Sequence, residues 1–144
     1  MMEETKIFEG LGKESLKLVN SIMEKRCYHS GEVIFEEGDY GKEFYIIEKG
    51  KVDVLKEGVK LGELGEKEVF GEMAIIDNQD RAATIKASEN TSVQIITKEN
   101  FEKLKIEDID AYLKIILNIS KEISMRLRDV DDKVQRIWKW YLGV

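Results

Sequence analysis

The chain has 144 residues, 42% of them hydrophobic, with a mean hydropathy of −0.36, enough for one domain with a real core. Its 29 acids against 23 bases leave a formal charge of −6, the reverse of a surface built to hold duplex phosphates. Cys27 is the single cysteine and His29 the single histidine, so disulfide frameworks, Cys-based metal clusters and Ser–His–Asp triads lack their raw material.

From about Gly12 to Arg26, the apolar residues Leu16, Val19, Ile22 and Met23 recur at three- to four-residue spacing, predicting an amphipathic helix. Between Cys27 and about Thr97 the rhythm shortens. Apolar runs at Val33–Phe35, Phe44–Ile47, Val52–Leu55, Ala83–Ile85 and Val93–Ile96 alternate with glycines at 31, 38, 41, 50, 58, 62 and 65. Such runs with close turn signals predict an antiparallel β jelly-roll barrel (a double-stranded β-helix) over roughly 27–97. Lys56-Glu57-Gly58 reads as a hairpin turn inside it.

Thr97 is placed to cap a short helix carrying Phe101 and Leu104. A second, long helix is expected over 108–142, with Asp108 at the positive end of its dipole. Along it Ile109, Leu113, Ile116, Ile123, Leu127, Val130, Val134, Ile137 and Tyr141 are spaced alternately by four and three, with Ser120 in the one polar slot. A 3.5-residue period sustained that long predicts a coiled-coil seam and a homodimer, while part of the stripe packs on the barrel. Trp138, Trp140 and Tyr141 either form a partner surface or close that seam.

The segment FGEMAIIDNQDRAAT, residues 70–84, differs from its surroundings. Phe70 leads into Gly71 and Glu72, which stand before one helical turn containing Met73 and Ala74. Unpaired N–H groups at such a turn suit a phosphate, and Gly71 lets the backbone approach it. Arg81 carries a planar fork that matches phosphate oxygens. Glu72, an acceptor when ionised, suits a sugar hydroxyl, and small Ala82 and Ala83 leave their N–H groups accessible. Spacing alone leaves two readings: a sugar-phosphate grip, or a surface ion pair beside a turn glycine.

This segment closely resembles the phosphate-binding cassette of the cyclic nucleotide-binding domain family, the sensor domain of catabolite activators and cyclic-AMP-dependent kinase regulatory subunits. Gly31–Phe35, Gly38-Asp39, Phe44–Ile47, Gly50–Val52, Phe8 with Leu11, and Val93–Leu104 fit the same pattern, over roughly 7–135. The resemblance implies Glu72 on the ribose 2′-hydroxyl, Arg81 on the phosphate, and Ala82 donating its N–H to the cyclic phosphate. It places Val54 and Leu64 on strands that wall the pocket, and Arg126, Val130 and Asp131 where the long helix meets the base; the alternative for those three is an ordinary helix surface. A Thr after the arginine often accompanies guanine preference, so Ala82 favours cyclic AMP over cyclic GMP. The family commonly has Pro before the arginine; Asp80 stands there instead, loosening the loop and setting a negative charge beside the anion, unless it points to solvent.

The expected function is thus a non-enzymatic sensor that binds cyclic nucleotide, needs no metal or cofactor, and signals to a downstream protein through its C-terminal helix. The alternative is the ligand-binding half of a transcription regulator lacking its helix-turn-helix domain, which would leave no nucleic-acid contact to this chain. A cupin-like metalloenzyme needs several His ligands, and one histidine is too few. No run approaches the ~18 apolar residues of a membrane span, and MMEETKIFEG lacks the basic start and apolar core of a signal peptide. A reducing, cytoplasmic location without a membrane partner is therefore expected.

Overall fold

Strand pairing decides the architecture in the computed structural model, which describes residues 5–143. A 3-10 turn at Lys6–Phe8 leads into α1 (Lys13–Ile22). Eight strands follow: β1 (Glu24–Tyr28), β2 (Val33–Phe35), β3 (Glu43–Lys49), β4 (Val52–Lys56), β5 (Val59–Leu64), β6 (Val69–Phe70), β7 (Thr84–Ala87) and β8 (Thr91–Thr97). The one-turn helix α2 (Met73–Ile76) interrupts them, and α3 (Lys98–Glu107) and α4 (Ile109–Leu142) complete the chain. The strands form two antiparallel four-stranded sheets, ordered β1-β8-β3-β6 and β2-β7-β4-β5. No ladder joins the two sheets among the described residues, so the expected barrel takes the form of two facing sheets.

The first helix is shorter than its periodicity predicts. Met23 is already extended, and Glu24–Arg26 pair with Val93–Ile95 as part of β1. This strand is mostly polar and exposed, so pairing with β8 overrides its lack of apolar alternation. The β4–β5 hairpin falls where expected: Lys56 pairs with Val59, and Glu57 and Gly58 both take positive φ, as a two-residue hairpin requires.

Two apolar clusters divide the interior. One, of Tyr45, Ile47, Val52, Phe70, Ile85, Val93 and Ile95, lies between the sheets, with Phe35, Val54 and Leu64 packed on it. The other joins Phe44, Ile46, Val69 and Ile96 on the opposite face of the first sheet to the helices. Alternation along β3 supplies both, since neighbouring residues face opposite ways.

Thr97 caps α3 as expected, its hydroxyl accepting from Asn100 N–H at 3.1 Å, and Asp108, expected at the positive end of the α4 dipole, also caps that helix, its Oδ1 accepting from Ala111 N–H at 3.1 Å. The buried stripe of α4, however, is Ala111, Ile115, Asn118 and Ile119, none of which belongs to the predicted seam. Within the seam, Ile116 and Ile123 only edge onto the core, while Leu113, Leu127, Val130, Val134 and Ile137 lie exposed.

Asn118 fixes α4 against the N-terminal turn, donating through Nδ2 to Ile7 O at 3.0 Å and Glu9 O at 2.8 Å. Replacing Asn118 with Ala strands two carbonyls and should cost about 1–3 kcal/mol of folding stability. Urea denaturation should show this as a lower midpoint; an unchanged midpoint would mean the bonds contribute nothing net.

Candidate functional site

The chain between β6 and β7 is held at both ends. Gly71 turns out of β6 with φ +78°, and α2 then makes a single turn. The polar stretch 77–80 is exposed, after which backbone pairing captures the chain again. Arg81 N–H donates to Asp39 O and Gly38 N–H donates to Arg81 O, each at 2.8 Å. These two bonds to the β2–β3 loop hold the arginine's backbone independently of its side chain.

That side chain points inward and leaves Arg81 only 6% exposed. One terminal nitrogen donates to Gly71 O at 2.9 Å and the other to Glu43 O at 2.8 Å. The guanidinium carbon sits 4.0 Å from the centroid of the Phe35 ring, within cation–π range. The packing tolerates no extra atoms: a Cβ on Gly71 would come 2.8 Å from the guanidinium, and one on Gly41 would overlap the Ala74 side chain. Burial lowers the Arg81 pKa from its ordinary value, yet a guanidinium keeps its proton at any physiological pH.

Glu72 is equally buried, at 5% exposure. Its Oε1 accepts from Arg126 of α4 at 3.2 Å, and a second Arg126 nitrogen donates to Val69 O at 2.6 Å. The long helix is thereby tied to the start of the cassette. Burial pushes the Glu72 carboxyl above its ordinary value, with the Arg126 charge pulling the other way. Beneath Arg81, Glu43 receives the Tyr45 hydroxyl at 2.6 Å and the Arg26 guanidinium at 3.2 Å. The same residue thus supports the arginine through its backbone carbonyl and a polar network through its side chain.

A cavity of about 120 Å³ opens at this point, bounded by Phe35, Gly71–Ala74, Asp80–Ala83 and Ile85. Gly71, Glu72, Met73, Ala74, Arg81, Ala82 and Ala83 all line this cavity. Phe70 does not line the cavity; it is buried in the core, stacked on Tyr45 with ring centroids 4.8 Å apart. Val54 and Leu64 are partly buried against the same cluster as Ile85 and do not line this cavity. Arg126 reaches the site, whereas Val130 and Asp131 lie exposed on the next turn of α4. Asp80 is exposed at the rim. Sequence reasoning gave no site role to Phe35, Gly41 or Glu43; Phe35 stood out only as part of an apolar strand run and Gly41 as one turn glycine among many, while Glu43 left no trace.

Among the described residues there is no group of three or more His, Cys, Asp or Glu side chains arranged to hold a metal ion. Nor is any helix there long and apolar enough to cross a membrane. His29 stands exposed at a turn, its backbone N–H donating to Glu32. The site is therefore a pair of buried opposite charges, Arg81 and Glu72, within a scaffold of backbone carbonyls and aromatic rings.

Residues 25–108 match the family model for the cyclic nucleotide-binding domain, and the chain belongs to that family, one of binding rather than catalytic domains. Over 102 residues it is 37% identical to a cAMP-dependent protein kinase regulatory subunit of Yarrowia lipolytica, covering 70% of this chain and 27% of that protein. It is 30% identical over 135 residues to the cyclic AMP receptor protein of Thermus thermophilus, covering 90% of this chain and 61% of the relative. The crystal structure of the Thermus thermophilus catabolite activator protein superposes with a TM-score of 0.77 at 29% identity, covering 92% of this chain and 63% of that one. This chain thus spans 27% and 61% of the lengths of these two curated relatives, less than two thirds of each.

The raised Glu72 pKa carries a sign that unfolding measurements can read. A carboxyl whose folded pKa lies above its unfolded one stabilises the protein most below the unfolded value, and that contribution is lost as pH rises through the folded value. Glu72→Gln removes the buried charge, so its thermal midpoint relative to the unaltered protein should be higher at pH 7 than at pH 5. A difference that does not change with pH would contradict the burial argument.

Proposed function

We propose that the chain is a sensor that binds a cyclic nucleotide, prefers cyclic AMP to cyclic GMP, and signals through its C-terminal helix. The observation that carries this is the buried pair Arg81 and Glu72, with Glu72 already engaged by Arg126 of α4. Arg81 uses two N–H groups on carbonyls, and a guanidinium has five. The remaining donors, with the Ala82 N–H, serve the cyclic phosphate. Glu72 accepts from the ribose 2′-hydroxyl. Ala82 offers no hydroxyl to guanine, which favours adenine.

The coupling follows from competition. A cavity of about 120 Å³ falls short of the ~300–1,000 Å³ of ordinary ligand pockets. It fits phosphate and sugar only if the base lies outside, towards α4 and against Val54 and Leu64. The ribose and Arg126 then bid for the same Glu72 carboxylate, so ligand and helix position depend on each other. A shift of α4 brings Val130 and Asp131 within reach of the base. The strand order of the two sheets fits a jelly roll, and the exposed seam fits a homodimer through α4, acting on a downstream protein in the cytoplasm. The match to the longer receptor protein of Thermus thermophilus favours a second reading, the ligand-binding half of a transcription regulator.

Calorimetry with both nucleotides tests the ligand. Cyclic AMP should bind more tightly than cyclic GMP, and Arg81→Ala should weaken binding by about 30-fold or more, the cost of stripping a buried charge from its partner. No heat with either nucleotide at millimolar concentration would overturn the reading. Sedimentation equilibrium tests the seam: the unaltered chain should run as a dimer, and Leu127→Asp with Val134→Asp should yield a folded monomer. A monomeric unaltered chain would refute the seam.

A further inference from the structure

Lys56 ends β4, two residues after Val54, and alternate residues of a strand share a face. Val54 packs on the cluster between the sheets. Lys56 therefore leaves that inner face where the cassette returns to the sheet, and its ammonium donates to Ala82 O at 3.2 Å. Ala82 is the residue after Arg81 and lines the cavity. The second neighbour of the ammonium is the Glu37 carboxylate at 3.8 Å, an ion pair too long for a hydrogen bond. An ammonium has three donors, and its side chain is 50% exposed, so Lys56 is loosely held.

Glu37 is more firmly placed. Its backbone N–H donates to Thr84 Oγ1 at 3.0 Å, and its Oε1 accepts from Glu57 N–H at 3.2 Å. The tip of the β4–β5 hairpin thus rests on Glu37 of the β2–β3 loop, with the half-exposed Lys56 ammonium between that carboxylate and the Ala82 carbonyl. The charges at the cavity call for such a cation. Glu72 is paired with Arg126, and the exposed carboxylate of Asp80 at the cavity rim adds a negative charge that an incoming phosphate would meet.

We propose that Lys56 is a second phosphate-binding cation: it swings from Glu37 to an exocyclic oxygen of the ligand's monoanionic phosphodiester, drawing the hairpin tip over the cassette. The proposal rests on the cyclic-nucleotide reading and adds a residue to it. If Lys56 only ties the hairpin to Ala82, then loosening either end of the tie weakens binding. If it is a ligand cation, Glu37 competes with the ligand and the two substitutions act in opposite directions.

Isothermal titration of the full chain with cyclic AMP, at low and moderate salt, separates these outcomes. Lys56→Met should weaken binding by about three- to tenfold, the range for a partly exposed charge contact, and should flatten its salt dependence. Glu37→Gln keeps an acceptor for Glu57 N–H and releases the ammonium, so it should tighten binding by about two- to threefold. Equal affinity of Lys56→Met and the unaltered protein, or weaker binding by Glu37→Gln, overturns the proposal. Binding that vanishes in Arg81→Ala but is untouched in Lys56→Met sinks this inference alone; no binding by the unaltered protein sinks both readings.

Discussion

Arg81 is a permanent cation with almost no access to water, and the fold around it is arranged to make that tolerable. Burying a charge without partners is among the costliest things a protein can do. Here the carbonyls of Gly71 and Glu43 accept from both terminal nitrogens, and the Phe35 ring stacks on the guanidinium. Backbone bonds to Gly38 and Asp39 hold its Cα. Four separate segments of chain must be in place before the arginine can be buried. One of its bonds spans 38 positions of sequence, so the site depends on contacts across the fold.

From that constraint the rest of the site follows. With Arg81 on Gly71 O, the turn into α2 is fixed and Glu72 is delivered into the interior beside it. Glu72 in turn has to find a cation, and the one it finds belongs to α4. The helix is therefore fastened at two levels: Asn118 on the N-terminal turn, and Arg126 on the cassette. Beyond Arg126 every described residue of α4 is exposed. The Glu72–Arg126 contact therefore marks the junction between the packed half of the helix and the exposed half.

The sequence made some of this plain and hid the rest for identifiable reasons. Short β-branched runs with turn signals marked most strands, and Thr97, Asp108 and the Glu57-Gly58 turn were legible because their effects are local. The cassette was legible through its resemblance to a known family, since a Gly-Glu pair followed by an Arg is by itself a common pattern. Strand β1 was hidden, since its five residues carry no alternation and are specified only by β8. The buried stripe of α4 was hidden behind a more regular heptad pattern lying on a neighbouring face; one helix carries two apolar stripes, and periodicity reports the stronger. Phe35, Gly41 and Glu43 became part of the site only through contacts across the fold, which no local pattern encodes.

The central claim is that a cyclic nucleotide takes Glu72 from Arg126 and so alters the long helix. Hydrogen exchange of the full chain, with and without saturating cyclic AMP, tests it directly. The account predicts slower exchange across residues 70–84 together with changed exchange in α4 between residues 119 and 130. Protection confined to residues 70–84, with α4 exchanging identically in both states, would contradict it.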